Sequence, residues 1–244
     1  MNYRGLARIM GALAALAVLA ASPTVAQEGG RWRATPLFGV TKYDESSALK
    51  TAPFVGAEAQ YVLSPSLRIG LGLNVARPIV DGSYFPLVFL RVHADTSWLA
   101  EVGQQVTQFN YMGTITAMRS MGSVNLFGQA GIGGYSFFLD NQVMHSMQRR
   151  GAPSRVSGLM VPLGVGFSIG RSSAIRLEAR DDILFGYDRE DFNPVEMRHR
   201  NLCTPGVNTQ SFCIEDANRT PPAPKETIHN FKLILGFELV PGRN

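Results

Sequence analysis

The sequence predicts an all-β fold: an antiparallel, up-and-down transmembrane β-barrel, most simply of eight strands. Three observations carry that expectation. The first is parity. In Leu67-Arg68-Ile69-Gly70-Leu71-Gly72-Leu73-Asn74-Val75, one set of alternate residues is branched aliphatic and the other is Arg, Gly, Gly and Asn. The same register returns in Leu159–Phe167 and in Phe231–Leu239. A period of two is the repeat of a β-strand. Large apolar residues on one face, with glycine and charge on the other, fit a closed sheet whose apolar face looks outward into lipid. The second observation is the order of the connections, which alternate short and long. The third is hydropathy. Its mean is only +0.02, and after residue 26 no apolar run reaches the roughly 20 residues a membrane-spanning helix needs. Alternating barrel strands give such an average because half of each strand is polar.

The strands follow from parity and turn residues, taken in chain order. The first is placed at about Arg33–Tyr43. The second, about Pro53–Leu63, sets Val55, Ala57, Ala59, Tyr61 and Leu63 against Gly56, Glu58 and Gln60. The third is about Ser66–Val80. The fourth, about Val102–Ser120, sets Phe109, Tyr111 and Ile115 against Gln108, Asn110, Thr114 and Thr116. The fifth is about Val124–Phe138, the sixth Val156–Ile169, the seventh Ala174–Tyr187 and the eighth His229–Val240.

Ser64-Pro65-Ser66, Met121-Gly122-Ser123 and Gly170-Arg171-Ser172-Ser173 are tight, turn-rich joints. Asp44–Ala52, Asp81–Gly103, Leu139–Arg155 and Asp188–Ile228 are the longer ones. Strict alternation is the pattern of bacterial outer-membrane barrels, with short periplasmic turns and long external loops. One joint leaves an alternative. Tyr84–Val92 reads as a further strand that, paired with part of 101–110, would make ten; the favoured reading keeps it as a folded part of the second external loop.

Residues 1–26 are expected to be a cleaved signal peptide. Arg4 and Arg8 precede the apolar run Ile9–Ala21, and Ser22-Pro23-Thr24-Val25-Ala26 is a small-residue cleavage site. The single barrel domain is then 27–244. It keeps 21 of the 23 Lys and Arg and all 19 Asp and Glu, a net charge of +2. So small a charge, with no basic stripe, excludes nucleic acid as the expected partner. Cys203 and Cys213 enclose nine residues. In an exported chain the natural expectation is a disulfide, contributing about 2–3 kcal/mol. The pair lacks the spacing of a metal site, so no metal and no cofactor is expected.

An eight-stranded barrel has an interior that side chains fill. Gly70, Gly72, Gly164, Gly166 and Gly236 fit there beside long polar residues. A soluble lipocalin, with its apolar face inward, would instead leave those glycines facing water. The inward parity assigns Glu58, Arg68, Arg176, Glu178, Arg180, Asp182, Lys232 and Glu238 to the lumen. Charges enclosed in a narrow barrel must be paired or hydrated. They form either a static salt-bridged core or the lining of a narrow pore. Outward aromatics such as Phe109, Tyr111, Phe185, Phe231 and Phe237 suit interfacial girdles.

Catalysis has little support in the sequence. The four histidines are His93, His145, His199 and His229. Neither His199 nor His229, taken with Glu190 and Asp191, gives a nucleophile–base spacing, so no catalytic residue is assigned. An outer-leaflet lipid-modifying enzyme stands only as an alternative. Gly131-x-Gly133-Gly134 lies inside a strand and lacks the context of a phosphate loop. Arg149-Arg150, in the third long loop, has the charge to touch anionic lipopolysaccharide.

The segment Asn125-Leu126-Phe127-Gly128-Gln129-Ala130-Gly131-Ile132-Gly133-Gly134-Tyr135 is similar to the glycine-rich central strand of the outer-membrane protein A-like barrels. Pro162-Leu163-Gly164-Val165-Gly166-Phe167-Ser168, followed by Ile175-Arg176-Leu177-Glu178-Ala179-Arg180, resembles a hairpin of the same superfamily. The resemblance covers nearly all of 33–241. It implies an integral protein of the bacterial outer membrane, structural or surface-interacting, in contact with outer-membrane lipids and lipopolysaccharide. It also implies passage through the barrel-assembly machinery during biogenesis and a monomeric state. It implies no substrate. Such barrels commonly end in an aromatic residue, whereas this chain ends Leu239-Val240-Pro241-Gly242-Arg243-Asn244.

Overall fold

The computed structural model of the chain describes residues 32–81, 88–93, 96–100, 105–139, 155–170, 173–189 and 223–239. The alternating segments extend as β1 (Trp32–Lys42), β2 (Ala52–Ser64), β3 (Leu67–Ala76), β4 (Val88–His93), β5 (Thr96–Ala100), β6 (Val106–Met121), β7 (Val124–Leu139), β8 (Arg155–Gly170), β9 (Ala174–Phe185) and β10 (Thr227–Glu238). Eight of them close into one antiparallel barrel in the order β1-β10-β9-β8-β7-β6-β3-β2. The closing seam pairs Leu37 with Gly236 through to Lys42 with Phe231. It is tied at its foot by Ala34 and Leu239, which exchange backbone hydrogen bonds of 3.0 and 2.8 Å. A closed barrel leaves no strand edge, and so no unpaired backbone groups facing hydrocarbon.

The eight-strand reading holds. Residues 88–93 and 96–100 form a separate two-stranded antiparallel sheet, β4–β5, that does not join the barrel. Two boundaries move by more than two residues. The third strand, expected to reach Val80, stops at Ala76, because Pro78 has no N–H to give to a ladder. Beyond it, Ile79 and Val80 make only isolated bridges to Gln105 and Leu49. The fourth strand, expected from Val102, is β6 and begins at Val106. Residues 1–31, Cys203, Cys213, His145, His199, Glu190, Asp191 and Arg149-Arg150 lie outside the described residues.

Parity decides the wall. Leu71, Ile132, Val165 and Leu233 point outward and are 69, 61, 65 and 60% exposed. They belong to an apolar surface that runs around the barrel, far beyond what a protein in water tolerates. Trp32 packs edge-on to Tyr61 near the tight-turn end (5.3 Å), and Phe109 packs edge-on to Phe138 near the long-loop end (5.5 Å). Aromatics thus stand at both margins of the apolar band, as they do in membrane barrels.

The inward glycines have a different reason, which is room. Across the ladder Gly39 faces Phe54, Gly72 faces Met112, Gly166 faces Phe127 and Gly236 faces Arg176. A Cβ at Gly166 would stand 2.6 Å from the Phe127 ring, and one at Gly39 would stand 2.6 Å from the Phe54 ring. Each glycine lets a large neighbour lie flat across the narrow lumen.

Gly122, in the β6–β7 turn, has φ +71°. A side chain is strained in that region, so Gly122→Ala is expected to cost about 1 kcal/mol. Urea unfolding in lipid vesicles checks this; an unshifted midpoint would contradict it.

Candidate functional site

Among the described residues, the lumen is where many charged side chains converge. It is organised in tiers along the barrel axis, and each tier is set by the inward parity of several strands.

At the tight-turn end, Glu238 of β10 accepts from two arginines. Arg33 Nη1 and Arg68 Nη1 lie 3.3 and 3.2 Å from its Oε2. Arg68 also donates to Gln60 Oε1 at 3.2 Å.

The middle tier is a network around two carboxylates. Glu178 Oε2 accepts from Arg176 Nη2, and its Oε1 accepts from Arg180 Nε, each at 2.6 Å. Opposite, Glu58 Oε2 stands 3.1 Å from Arg176 Nη1 and 3.9 Å from Arg180 Nη2. Glu58 Oε1 accepts from Gln60 (2.9 Å), Thr114 (3.0 Å) and Gln129. Gln129 Oε1 in turn accepts from Arg176 and Arg180, each at 3.0 Å. The Arg176 guanidinium stacks 4.4 Å over the Phe127 ring. All four charged side chains are buried. Their charges sum to zero, so the network neutralises itself.

Above it, Lys232 Nζ pairs with Asp182 Oδ2 at 2.6 Å and donates to Asn74 Oδ1 at 2.8 Å. The same ammonium lies 4.9 Å from the Phe54 ring centroid. Hydrogen-bonded, desolvated pairs of this kind are strongly destabilised when one member is removed.

The long-loop half of the lumen is apolar, which the parity rule does not anticipate. Tyr135, Phe137, Met160, Leu184 and Ile228 point inward and are fully buried, in one cluster with Tyr43, Val106, Met112 and Tyr187. Tyr135, Phe137 and Tyr187 pack ring to ring at 5.6–6.5 Å. The Tyr43 hydroxyl donates to Gln108 Oε1 at 2.7 Å and links this cluster to the polar tier below.

A lid lies over the cluster. Asp44 caps a 3-10 turn, Glu45–Ser47, by accepting from Ser46 N (2.9 Å) and Ser46 Oγ (2.6 Å). Arg189 Nη1 donates to Ser46 O at 2.8 Å, and Asp81 N donates to Ala48 O at 2.8 Å. Partial burial works to raise the Asp44 pKa. The two Ser46 bonds and the nearby Lys225 ammonium outweigh it and hold the carboxyl below its usual range.

All eight residues assigned to the lumen from sequence lie inside the barrel, and the fold joins them in these three tiers. Gln60 and Asn74, which the sequence places on the inward parity, join the same network, as do Arg33 and Gln129, which the sequence assignment does not include. Arg33 shares the inward parity of Thr35 and Thr41, a signal obscured by its place at the strand end. His93 falls in β4. His229 points outward from β10, and its Nδ1 lies 2.7 Å from Asp181 Oδ2.

No family model matches the chain, and no curated protein matches it. Solved structures do. Neisserial surface protein A aligns at 9% identity over 86% of this chain and 96% of its own, with a TM-score of 0.52. OprG from Pseudomonas aeruginosa aligns at 9% identity over 86% and 95%, with a TM-score of 0.43. Ail, the attachment invasion locus protein of Yersinia pestis, solved with the heparin analogue sucrose octasulfate, aligns at 8% identity over 86% and 99%, with a TM-score of 0.42. At 9% identity, the likeness to Neisserial surface protein A speaks for the fold alone. With its closed ladder and lipid-facing wall, the chain has the fold of the eight-stranded outer-membrane barrels.

Proposed function

We propose that this protein is a non-conducting, non-enzymatic barrel of the bacterial outer membrane, with a structural or surface-interacting role carried by its long-loop end. One observation carries the reading. The lumen is filled twice, by the paired charges around Glu58 and Glu178 and by the Tyr135–Phe137–Tyr187 cluster above them. A pore-forming barrel keeps a continuous water path, and eight strands leave space for little more than side chains. Here an ion would have to break a buried pair and then cross an apolar section. Neither is compensated by a new partner, so both steps are unfavourable.

Planar-bilayer recording of the purified chain tests this. The expected result is no resolvable conductance steps. Regular, reproducible openings by the wild-type chain would overturn it in favour of a small channel. Heat-modifiable gel migration, read on the same preparation, reports separately that the barrel is folded.

A further inference from the structure

The lipid-facing wall carries a cation that the barrel itself does not use. Arg155 opens β8 at the long-loop end and points outward. Its Nε donates to Ser157 Oγ and its Nη2 donates to Ser136 Oγ, each at 2.9 Å. Ser136 and Ser157 face each other across β7–β8, with their hydroxyl oxygens 2.9 Å apart. The guanidinium carbon lies 5.4 Å from the centroid of the Phe138 ring, on the residue that faces Arg155 in the ladder. Among the described residues, no carboxylate lies within ion-pairing distance of Arg155, and its Nη1 has no hydrogen-bond partner.

This arrangement contrasts with another basic surface at that end. An open cleft of ≈550 Å³ is lined by Lys42, Lys225 and His229, but also by Asp44 and Glu45. There Lys225 lies 3.5 Å from Asp44, and His229 lies 2.7 Å from Asp181. Arg155 keeps its charge and an open edge of its fork, and two serines and a ring fix its direction.

Below Arg155 the wall turns apolar at once. Phe109 packs against Phe138, and Leu159 is 49% exposed. A held guanidinium above an aromatic and aliphatic surface matches an anionic headgroup above an acyl chain. The planar fork suits a phosphate in two-point contact. Because it is already held, little side-chain freedom remains to be lost on binding.

We propose that Arg155, clamped by Ser136 and Ser157, binds the phosphate of an outer-leaflet lipid whose acyl chain lies against Phe109, Phe138 and Leu159. The proposal rests on the outer-membrane reading above and names a partner for its wall.

The test uses the full chain in nanodiscs of phosphatidylcholine containing a small fraction of bisphosphorylated lipid A. Lipid retained per barrel is read by native mass spectrometry. Arg155→Ala is expected to lower retained lipid A about fivefold, the scale of one basic residue at a charged membrane surface. Arg155→Lys, which keeps the charge but loses the clamp, is expected to fall between the two. Lys225→Ala removes the same charge elsewhere and is expected to leave retention unchanged. Equal retention by wild type and Arg155→Ala overturns the proposal, as does equal enrichment of dephosphorylated lipid A. The compact, heat-modifiable gel form is scored on every sample. A chain that never reaches it refutes the membrane-barrel reading, whatever the lipid count.

Discussion

Glu178→Ala is expected to lower the stability of the barrel by about 3–5 kcal/mol, the range for breaking a buried ion pair by removing one partner. The reason is local. Among the described residues, Glu178 is the only one whose two carboxylate oxygens each sit 2.6 Å from a different buried guanidinium, Arg176 and Arg180. Without it, Glu58 alone faces both arginines, at 3.1 and 3.9 Å. The enclosed charge becomes +1, in a place where neither arginine can reach bulk water. A loss of this size is a large part of the roughly 5–15 kcal/mol that holds a typical protein together. Urea unfolding in lipid vesicles measures it. Glu178→Gln keeps the shape and accepts one hydrogen bond, so it is expected to fall part-way. If Glu178→Ala unfolds within about 1 kcal/mol of wild type, the network contributes far less than a buried pair should.

Gly133→Ala is expected to destabilise the barrel by about 1–3 kcal/mol, the usual cost of overpacking. Gly113→Ala, close by in the facing strand, is expected to be close to neutral. The difference is one of backbone approach. A Cβ at Gly133 would run into the Tyr111 carbonyl oxygen and stand 2.7 Å from the Met112 Cα. These are main-chain atoms of β6 and cannot rotate away, so the two strands must separate. A Cβ at Gly113 meets nothing nearer than the Ile132 carbonyl oxygen at 3.9 Å. The same chemical change is therefore made twice on one strand pair, once with space and once without. Equal unfolding midpoints for the two variants would show that β6 and β7 are not held this close.

Much of the architecture is legible in the chain alone. Leu67–Val75 shows the reason: one parity all aliphatic and the other Arg, Gly, Gly and Asn assigns both the wall and the lumen. The tight joints at Pro65, Gly122 and Arg171 then set which ends of the strands lie together. Where parity fails, the signal fails with it. Tyr135 and Phe137 lie on the inward face of a strand whose outward face carries Ile132 and Phe138, and a strand apolar on both faces has no alternation to read. The aromatic seal is hidden for that reason. Arg33 sits at a strand end, where a single residue carries no period. The short β3 has a visible cause in Pro78, but proline alone does not say on which side of it a ladder stops.

Alternation is a property of neighbours in the chain, so the sequence by itself determined the strands, their lipid-facing side and the outer-membrane class of fold. Which charge meets which is a property of the closed barrel. Arg33 and Glu238 are 205 residues apart in the chain, and Gln129 reaches Glu58 across 71. Only register and closure bring such pairs to a few ångströms. The tertiary structure therefore decided that the central charge network around Glu58 and Glu178 neutralises itself, that the long-loop half of the lumen is sealed by aromatic side chains, and that Arg155 is held on the outer wall with no carboxylate beside it among the described residues.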